Sequence, residues 1–202
     1  MLRYAKDELG KDILVNSSDQ QVMMEWEKPY MEHCVNTLFP SGDVLEIGFG
    51  LGYSANQIQK FPIKSHTIIE CDPVVLKVAR EWANHQQNPV NIIHGTWQNV
   101  LSLLGTFDYI FYDDFPFTET HHEYFQSTKS FFDRVRKFHS RQSTKVVWYC
   151  EYPPEPSLVS WFKTFNVDYS ISEYEIVKPS NLQTYALDYK DKMFVPELTI
   201  YK

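Results

Sequence analysis

This sequence predicts an α/β domain on a doubly wound, mostly parallel sheet with an antiparallel hairpin at its C-terminal edge. Three observations carry that expectation. Val44-Leu45-Glu46-Ile47-Gly48-Phe49-Gly50-Leu51-Gly52 reads as a short apolar strand running into a turn with glycine at every second position. Such glycines let a backbone turn tightly and pass close to a ligand where a Cβ would clash. Thr67-Ile68-Ile69-Glu70 is a second apolar run, ending in a carboxylate. It lies about twenty residues past the turn, the spacing of an acid that holds ribose hydroxyls. Apolar runs then alternate with helical patterns, which calls for a parallel sheet with helices on both faces.

The elements follow in order. Residues 1–17 are polar and weakly periodic, so 1–21 is expected to be a mobile arm. Ser18-Asp19-Gln20-Gln21 fits a capping box opening a short helix through Trp26. Pro29 suits the first turn of another helix, with Met31, Cys34, Val35, Leu38 and Phe39 on its apolar face. Together 22–43 make an N-terminal helical lid, broken by Pro40-Ser41-Gly42-Asp43. Strands are expected over 44–48, 66–71, 90–94, 109–113 and 145–150. Helices are expected over 53–61, 73–84, 100–104, 122–138 and 156–165. Two more strand candidates, 169–177 and 194–201, flank a polar turn at 178–183 and supply the edge hairpin. No repeat or low-complexity tract interrupts 1–202, so a single domain is expected.

Composition narrows the function. A chain of 202 residues can bury a substantial core, and 43% hydrophobic with 16% aromatic residues marks it as globular rather than disordered. A net charge of -7 argues against nucleic acid as a partner, because phosphate contacts need Lys and Arg. The longest cationic patch, Arg134-Val135-Arg136-Lys137 with Arg141 nearby, falls at the end of an expected helix, where it complements the helix dipole. Cys34, Cys71 and Cys150 lack C-x-x-C spacing, against a zinc site and a secreted disulfide framework, and no metal is expected. No stretch approaches a membrane span, and 1–15 has no apolar signal core. The expectation is a cytoplasmic monomer or homodimer without a membrane partner.

Ligands of open α/β sheets bind beyond the carboxyl ends of the strands. There the sequence places the glycine turn, then Glu70 with Cys71 and Asp72, then His94-Gly95-Thr96-Trp97. Trp97 suits either packing against an adenine or the core. The fourth and fifth strands deliver Tyr112-Asp113-Asp114-Phe115-Pro116 and Cys150-Glu151-Tyr152-Pro153-Pro154. Asp113, Asp114 and Glu151 form an acidic rim suited to a cationic ligand, although one of the adjacent pair reads equally as a helix cap. His121-His122 reads as a helix start rather than a base or metal ligand.

The order E-x-G-x-G-x-G departs from the G-x-G-x-x-G of dinucleotide sites. It resembles motif I of the class I S-adenosylmethionine methyltransferases, which have a Rossmann-like fold. Longer segments are similar to the guanidinoacetate N-methyltransferase family. Val22-Met23-Met24-Glu25-Trp26-Glu27-Lys28-Pro29-Tyr30-Met31 resembles its V-M-E-R-W-E-T-P-Y-M segment, and Val44-Leu45-Glu46-Ile47-Gly48-Phe49-Gly50 its V-L-E-V-G-F-G. Ile68-Ile69-Glu70-Cys71 resembles I-I-E-C, and Tyr112-Asp113-Asp114-Phe115-Pro116 resembles Y-D-T-Y-P. The likeness spans about residues 20 to 150.

The resemblance implies S-adenosyl-L-methionine as cofactor and a methyltransferase acting on a small guanidino compound. It implies Glu27 and Asp113 as the carboxylates that hold the guanidino group and serve the transfer. It implies cofactor contacts from Met23, Met31, Glu46, Gly48, Phe49, Gly50, Gly52, Tyr53, Glu70, Cys71, Thr96 and Trp97. The family's Thr after the key Asp and its C-N-L-T loop hold the acceptor's carboxylate. Here they are Asp114 and Cys150-Glu151-Tyr152-Pro153. Asp114, Glu151 and Tyr152 are therefore expected on the acceptor side, facing a remote end that is neutral or cationic. Three alternatives stand beside this reading: a methyltransferase of peptidyl arginine, an aminopropyltransferase of the spermidine synthase type, and a non-catalytic cofactor-binding protein. Retention of both Glu27 and Asp113 argues against the last.

Overall fold

The computed structural model describes residues 1–114, 121–177 and 192–202, with backbone only at 121–124. The polar turn expected at 178–183, Phe115 and Pro116 of the fourth-strand motif, and the side chains of His121 and His122 lie outside the described residues.

The main sheet is doubly wound. Its strands are β4 (Gly42–Ile47), β5 (Ile63–Glu70), β6 (Val90–His94), β7 (Phe107–Tyr112), β8 (Ser140–Trp148), β9 (Val167–Glu175) and β10 (Lys192–Tyr201). They lie in the order β6-β5-β4-β7-β8-β10-β9. The five from β6 to β8 in that order are parallel, while β10 runs antiparallel to both β8 and β9. The expected edge hairpin is therefore present, with the final strand inserted next to β8. The helices are α1 (Lys28–Thr37), α2 (Tyr53–Ile58), α3 (Pro73–Ala83), α4 (Trp97–Val100), α5 (His121–Arg134) and α6 (Pro156–Phe162).

Side chains alternate across a strand, so a strand buried on both faces reads as a continuous apolar run. The central strands divide accordingly. Val44, Ile68, Tyr109, Phe111 and Val147 pack with α1, α2 and α3. Leu45, Ile69, Ile110, Tyr112 and Val146 pack on the other face with α5 and α6.

The N-terminal segment differs from expectation. Instead of an arm and a capped helix it forms a three-stranded antiparallel sheet of β1 (Arg3–Lys6), β2 (Asp12–Val15) and β3 (Gln21–Met24). The residues read as a capping box form its second turn. Asn16 Oδ1 accepts the N–H groups of Ser18 (2.9 Å) and Gln20 (3.0 Å), and Asp19 takes a positive φ of 59°. Asn supplies this turn chemistry locally, so it wins over the helix start. The lid expected at 22–43 is thus β3, one 3₁₀ turn at Glu25–Glu27, and α1.

Candidate active site

Gly95, Gly48, Asp113 and Tyr149 are the first residues beyond β6, β4, β7 and β8. Each donates its N–H to the neighbouring strand: Gly95 to the Glu70 carbonyl (3.0 Å), Gly48 to Ile69 (2.9 Å), Asp113 to Ile47 (3.2 Å) and Tyr149 to Tyr112 (3.0 Å). The ladder thus continues one residue past each strand and fixes these backbones in a row. A cavity of about 750 Å³ opens above the row, at the point where the strand order reverses between β4 and β7. That is the size of a small-molecule pocket at the usual place in such a sheet.

The glycine turn is pressed from two sides. Gly48 has φ +80°, and a Cβ on it would lie 2.6 Å from the Asp113 carbonyl oxygen. Gly50 has φ +53°, and a Cβ there would lie 2.5 Å from Met23 Sδ. Met23 Sδ also accepts the Leu51 N–H at 3.2 Å. Glu70 braces the same turn. Its Oε2 accepts the Phe49 N–H at 3.0 Å and its Oε1 the Asp72 N–H at 2.8 Å. Beside the backbone N–H groups of Phe49, Cys71 and Asp72 the carboxylate keeps accepting capacity for a ligand. Burial pushes the Glu70 carboxyl up, against these backbone hydrogen bonds. Asp72 Oδ1 caps α3 through the Val74 and Val75 N–H groups, and Oδ2 accepts the Leu2 N–H at 2.8 Å. Tyr4 of β1 donates its hydroxyl to the Gly50 carbonyl at 2.9 Å. The N-terminal sheet is therefore fastened directly to the turn.

Cys71 and Thr96 line the cavity and are exposed. Trp97 lines it too, yet is 2% exposed and sits in the core. Its Nε1–H donates to Asp114 Oδ2 at 2.5 Å, and its ring meets Phe131 and the Arg134 guanidinium. Trp97 is thus a core residue, the second of its two sequence readings, with an edge on the cavity wall. Asp114 lines the cavity while anchoring this indole.

Glu27 and Asp113, far apart in sequence, line the same cavity. Glu27 closes the 3₁₀ turn before α1 and is 2% exposed. Its Oε1 is buried without a hydrogen-bond partner among the described residues. Burial first, then the charges of Asp113 and Glu151, push its carboxyl well above the usual range. Asp113 is raised to about 7, by burial first and then by Asp114, Glu46 and Glu70. The charged side chains lining the cavity are all acidic: Glu27, Glu70, Asp72, Asp113 and Asp114, with no Lys, Arg or His among the described residues. A positively charged ligand offsets that repulsion and an anionic one adds to it.

Several expected residues lie off the cavity wall. Glu46 is fully buried, takes a hydrogen bond from the Ser54 hydroxyl and lies 2.8 Å from His66 Nε2. It precedes the strand end by one residue, so its side chain enters the helical layer. Met31 is in the core beside α1. Phe49 offers its N–H to Glu70 and packs its ring on Trp82. Gly52 caps α2, and Tyr53 opens that helix with the Lys28 ammonium 5.9 Å from its ring centre. Glu151 and Tyr152 also stand outside the lining. β8 ends at Trp148 rather than at the expected residue 150, which moves the first residue past the strand back to Tyr149. Glu151 acts on the site through its charge on Glu27.

Sequence reasoning missed Tyr149 and the cavity-lining Leu14, Asn16, Ser17, Ser18, Gln20 and Val22 of the N-terminal sheet. The signal for the latter was available. Asp12-Ile13-Leu14-Val15 and Val22-Met23-Met24 are apolar runs flanking Asn16-Ser17-Ser18-Asp19, a hairpin pattern with turn chemistry.

The glycine cradle, the braced carboxylate and the cavity volume suit a nucleoside cofactor. The architecture is the Rossmann-like fold of the class I S-adenosylmethionine methyltransferases. A family model described as guanidinoacetate N-methyltransferase matches residues 6–185. The chain belongs to that family. Among curated relatives it is 40% identical over 124 residues to protein arginine N-methyltransferase 2 of Candida glabrata, covering 56% of this chain and 29% of that protein. It is 33% identical over 141 residues to the protein of the same name from Saccharomyces cerevisiae, covering 65% and 34%. The chain thus spans about a third of the length of these relatives.

Solved structures share the fold. The precorrin-6y C5,15-methyltransferase of Geobacter metallireducens superposes with a TM-score of 0.63 at 9% identity, covering 98% of this chain and 93% of that one. An O-methyltransferase of Bacillus cereus in complex with SAH gives 0.61 at 14%, covering 89% and 82%. Spermidine synthase of Thermotoga maritima gives 0.61 at 17%, covering 98% and 72%. Among the described residues no helix is long and apolar enough to cross a membrane.

Proposed function

We propose that this chain methylates a nitrogen of a guanidino group, and that the acceptor is an arginine side chain in a peptide or protein. The observation that carries the guanidino reading is the pair Glu27 and Asp113 on one cavity, both raised, one with a buried oxygen that has no partner among the described residues. A guanidinium meets that need: it is planar, permanently charged and presents its N–H donors at its edge. S-adenosylmethionine supplies an electrophilic methyl group on positively charged sulfur. The protein's part is to make the guanidinium a nucleophile beside that charge. Glu27 and Asp113 take in-plane N–H groups, offset the repulsion and fix the angle of one nitrogen. As that nitrogen gains its fourth bond it gives up a proton, which Asp113 accepts.

Glu70 is proposed to hold the ribose hydroxyls and the glycine turn the amino-acid end of the cofactor. Glu70→Ala is expected to weaken binding of S-adenosylmethionine by about 1–3 kcal/mol, the worth of charge-assisted hydrogen bonds. Calorimetry showing unchanged affinity in a folded variant would remove Glu70 from that role.

The choice of arginine rests on two supports. The two curated relatives are named for it. Asp114 on the cavity wall and Glu151 nearby oppose an acceptor that carries its own carboxylate. Labelled cofactor, incubated with guanidinoacetate, simple alkylguanidines, arginine peptides and polyamines, tests the reading. Arginine peptides are expected to show the highest kcat/KM and guanidinoacetate a much lower one. Guanidinoacetate as the best substrate overturns the acceptor assignment, and transfer only to polyamines overturns the guanidino assignment.

A further inference from the structure

We propose that Tyr149 is a specificity-determining residue, the aromatic wall on which one face of the acceptor's guanidino group stacks. The inference rests on the guanidino reading above and adds what covers the face of the cation, which carboxylates cannot do.

Tyr149 is placed for this by backbone and ring together. As the first residue past β8 it is tied by its N–H to the Tyr112 carbonyl, the residue before Asp113. Tyr149 is half-buried and lines the cavity with Glu27 and Asp113. It packs against Tyr30 with ring centres 5.7 Å apart and planes at 87°. Tyr30 is a rigid support. It is fully buried, donates its hydroxyl to the Phe194 carbonyl at 2.6 Å and accepts the Cys150 N–H at 3.0 Å. Tyr30 also lies one helical turn after Glu27 on the same chain segment. One strut therefore sets the ring of Tyr149 relative to the carboxylate proposed to grip the guanidinium.

Chemistry separates edge from face. The N–H groups of a guanidinium point outward in its plane and are met by carboxylates. Its two faces carry no donors and are weakly hydrated, and they stack favourably on aromatic rings. The nitrogen lone pair that becomes the new N–CH3 bond lies perpendicular to the plane. The methyl therefore arrives at one face, and the other face is available to a wall. Trp97, which also lines the cavity, is 2% exposed, with its N–H on Asp114 and the Arg134 guanidinium 5.5 Å from its ring centre. A primary ammonium has tetrahedral donors and no flat face. An aromatic wall therefore discriminates guanidines from amines, while Glu27 and Asp113 attract both.

The test compares two cationic probes of similar length, propylguanidine and butylamine. Their affinities are measured by calorimetry in the presence of S-adenosylhomocysteine for the parent, Tyr149→Phe and Tyr149→Leu, with cofactor-product affinity and Tm as controls. The parent is expected to prefer the guanidine. Tyr149→Phe keeps that preference ratio, and Tyr149→Leu lowers it by about 3–30-fold, the range of a cation–π contact partly withdrawn from water, at unchanged S-adenosylhomocysteine affinity. A Leu variant that keeps the parent's ratio overturns the wall and leaves the guanidino reading intact. Equal loss in Phe and Leu also overturns it, because the hydroxyl rather than the ring face then matters. A parent without preference for the guanidine overturns the guanidino reading itself. If Tyr149→Leu fails to fold, Tyr149→Ile and Tyr149→Met carry the same comparison.

Discussion

Asp113→Asn is expected to give a folded protein that binds S-adenosylmethionine as the parent does and turns over about 10²–10⁴-fold more slowly, the usual contribution of a positioned base. The substitution keeps shape and removes charge and basicity. The backbone cannot drift to compensate: the Asp113 N–H is held by the Ile47 carbonyl, and its own carbonyl is packed against Gly48. What changes is a carboxyl raised to about 7 by burial and by Asp114, Glu46 and Glu70. A proton acceptor works best when its pKa lies near the working pH. In the free parent the anionic form is lost as pH falls through about 7, so kcat/KM for a guanidino acceptor falls with it. The residual kcat/KM of Asp113→Asn has no such inflection. If Asp113 were only a helix cap, Asn would be nearly neutral. A folded Asp113→Asn protein with the parent's turnover and pH profile therefore defeats the catalytic role.

Glu27→Gln is expected to act in opposite directions on function and stability. Acceptor KM rises at least about tenfold, since a buried charge-assisted contact to a cation is worth roughly 1.5–3 kcal/mol. The unliganded protein becomes more stable. Glu27 is buried with Oε1 lacking a partner among the described residues, and its carboxyl is raised by burial and by Asp113 and Glu151. The sign follows. An acid raised in the folded state keeps its proton while the unfolded chain has released it. Stability is therefore lost as pH climbs from the unfolded Glu value of about 4.3 towards the folded one. Gln at 27 carries no charge to bury and removes that slope. Scanning calorimetry should show the variant's Tm above the parent's at pH 8, by about 2–4 °C per kcal/mol in a chain of this size, with the gap closing below about pH 4. A gap of the same size at both pH values would mean that packing rather than charge governs the site. A variant less stable than the parent at pH 8 would contradict the uncompensated carboxylate.

The two predictions describe one trade. Uncompensated acids weaken the empty protein and strengthen its hold on a cation. Asp113 and Glu27 carry that trade because they are held at the end of β7 and the start of α1 before any ligand arrives.

How legible this was in the sequence depends on the reach of each signal. The expected strand at 90–94 coincides with β6, and the expected helix at 73–84 ends one residue beyond α3. Both are bounded by local chemistry, such as Asp72 and Pro73 opening α3. The strand expected at 145–150 ends two residues early in the structure, and the slip exchanged Glu151 and Tyr152 for Tyr149 on the cavity wall. An apolar run cannot mark where ladder pairing stops, because Trp148 and Tyr149 are equally suited to a strand. Glu46 and Glu70 look alike as acids near strand ends. One is locked with Ser54 and His66 and the other faces the cavity, a difference of a single position relative to the end of the ladder.

The sequence by itself determined the alternation of strands and helices, the burial of the central strands on both faces, and the glycine turn that lines the cavity. Each follows from periodicity or a steric requirement within a few residues, and no distant partner can change it. Only the tertiary structure decided that β7 lies beside β4, which brings Asp113 against Gly48. Only it decided that the N-terminal segment folds into a sheet tied to Asp72 and Gly50, so that Glu27 opens into the same cavity. These are pairings between segments far apart in the chain. They are selected by which strand edges and apolar faces complement one another once the chain is compact.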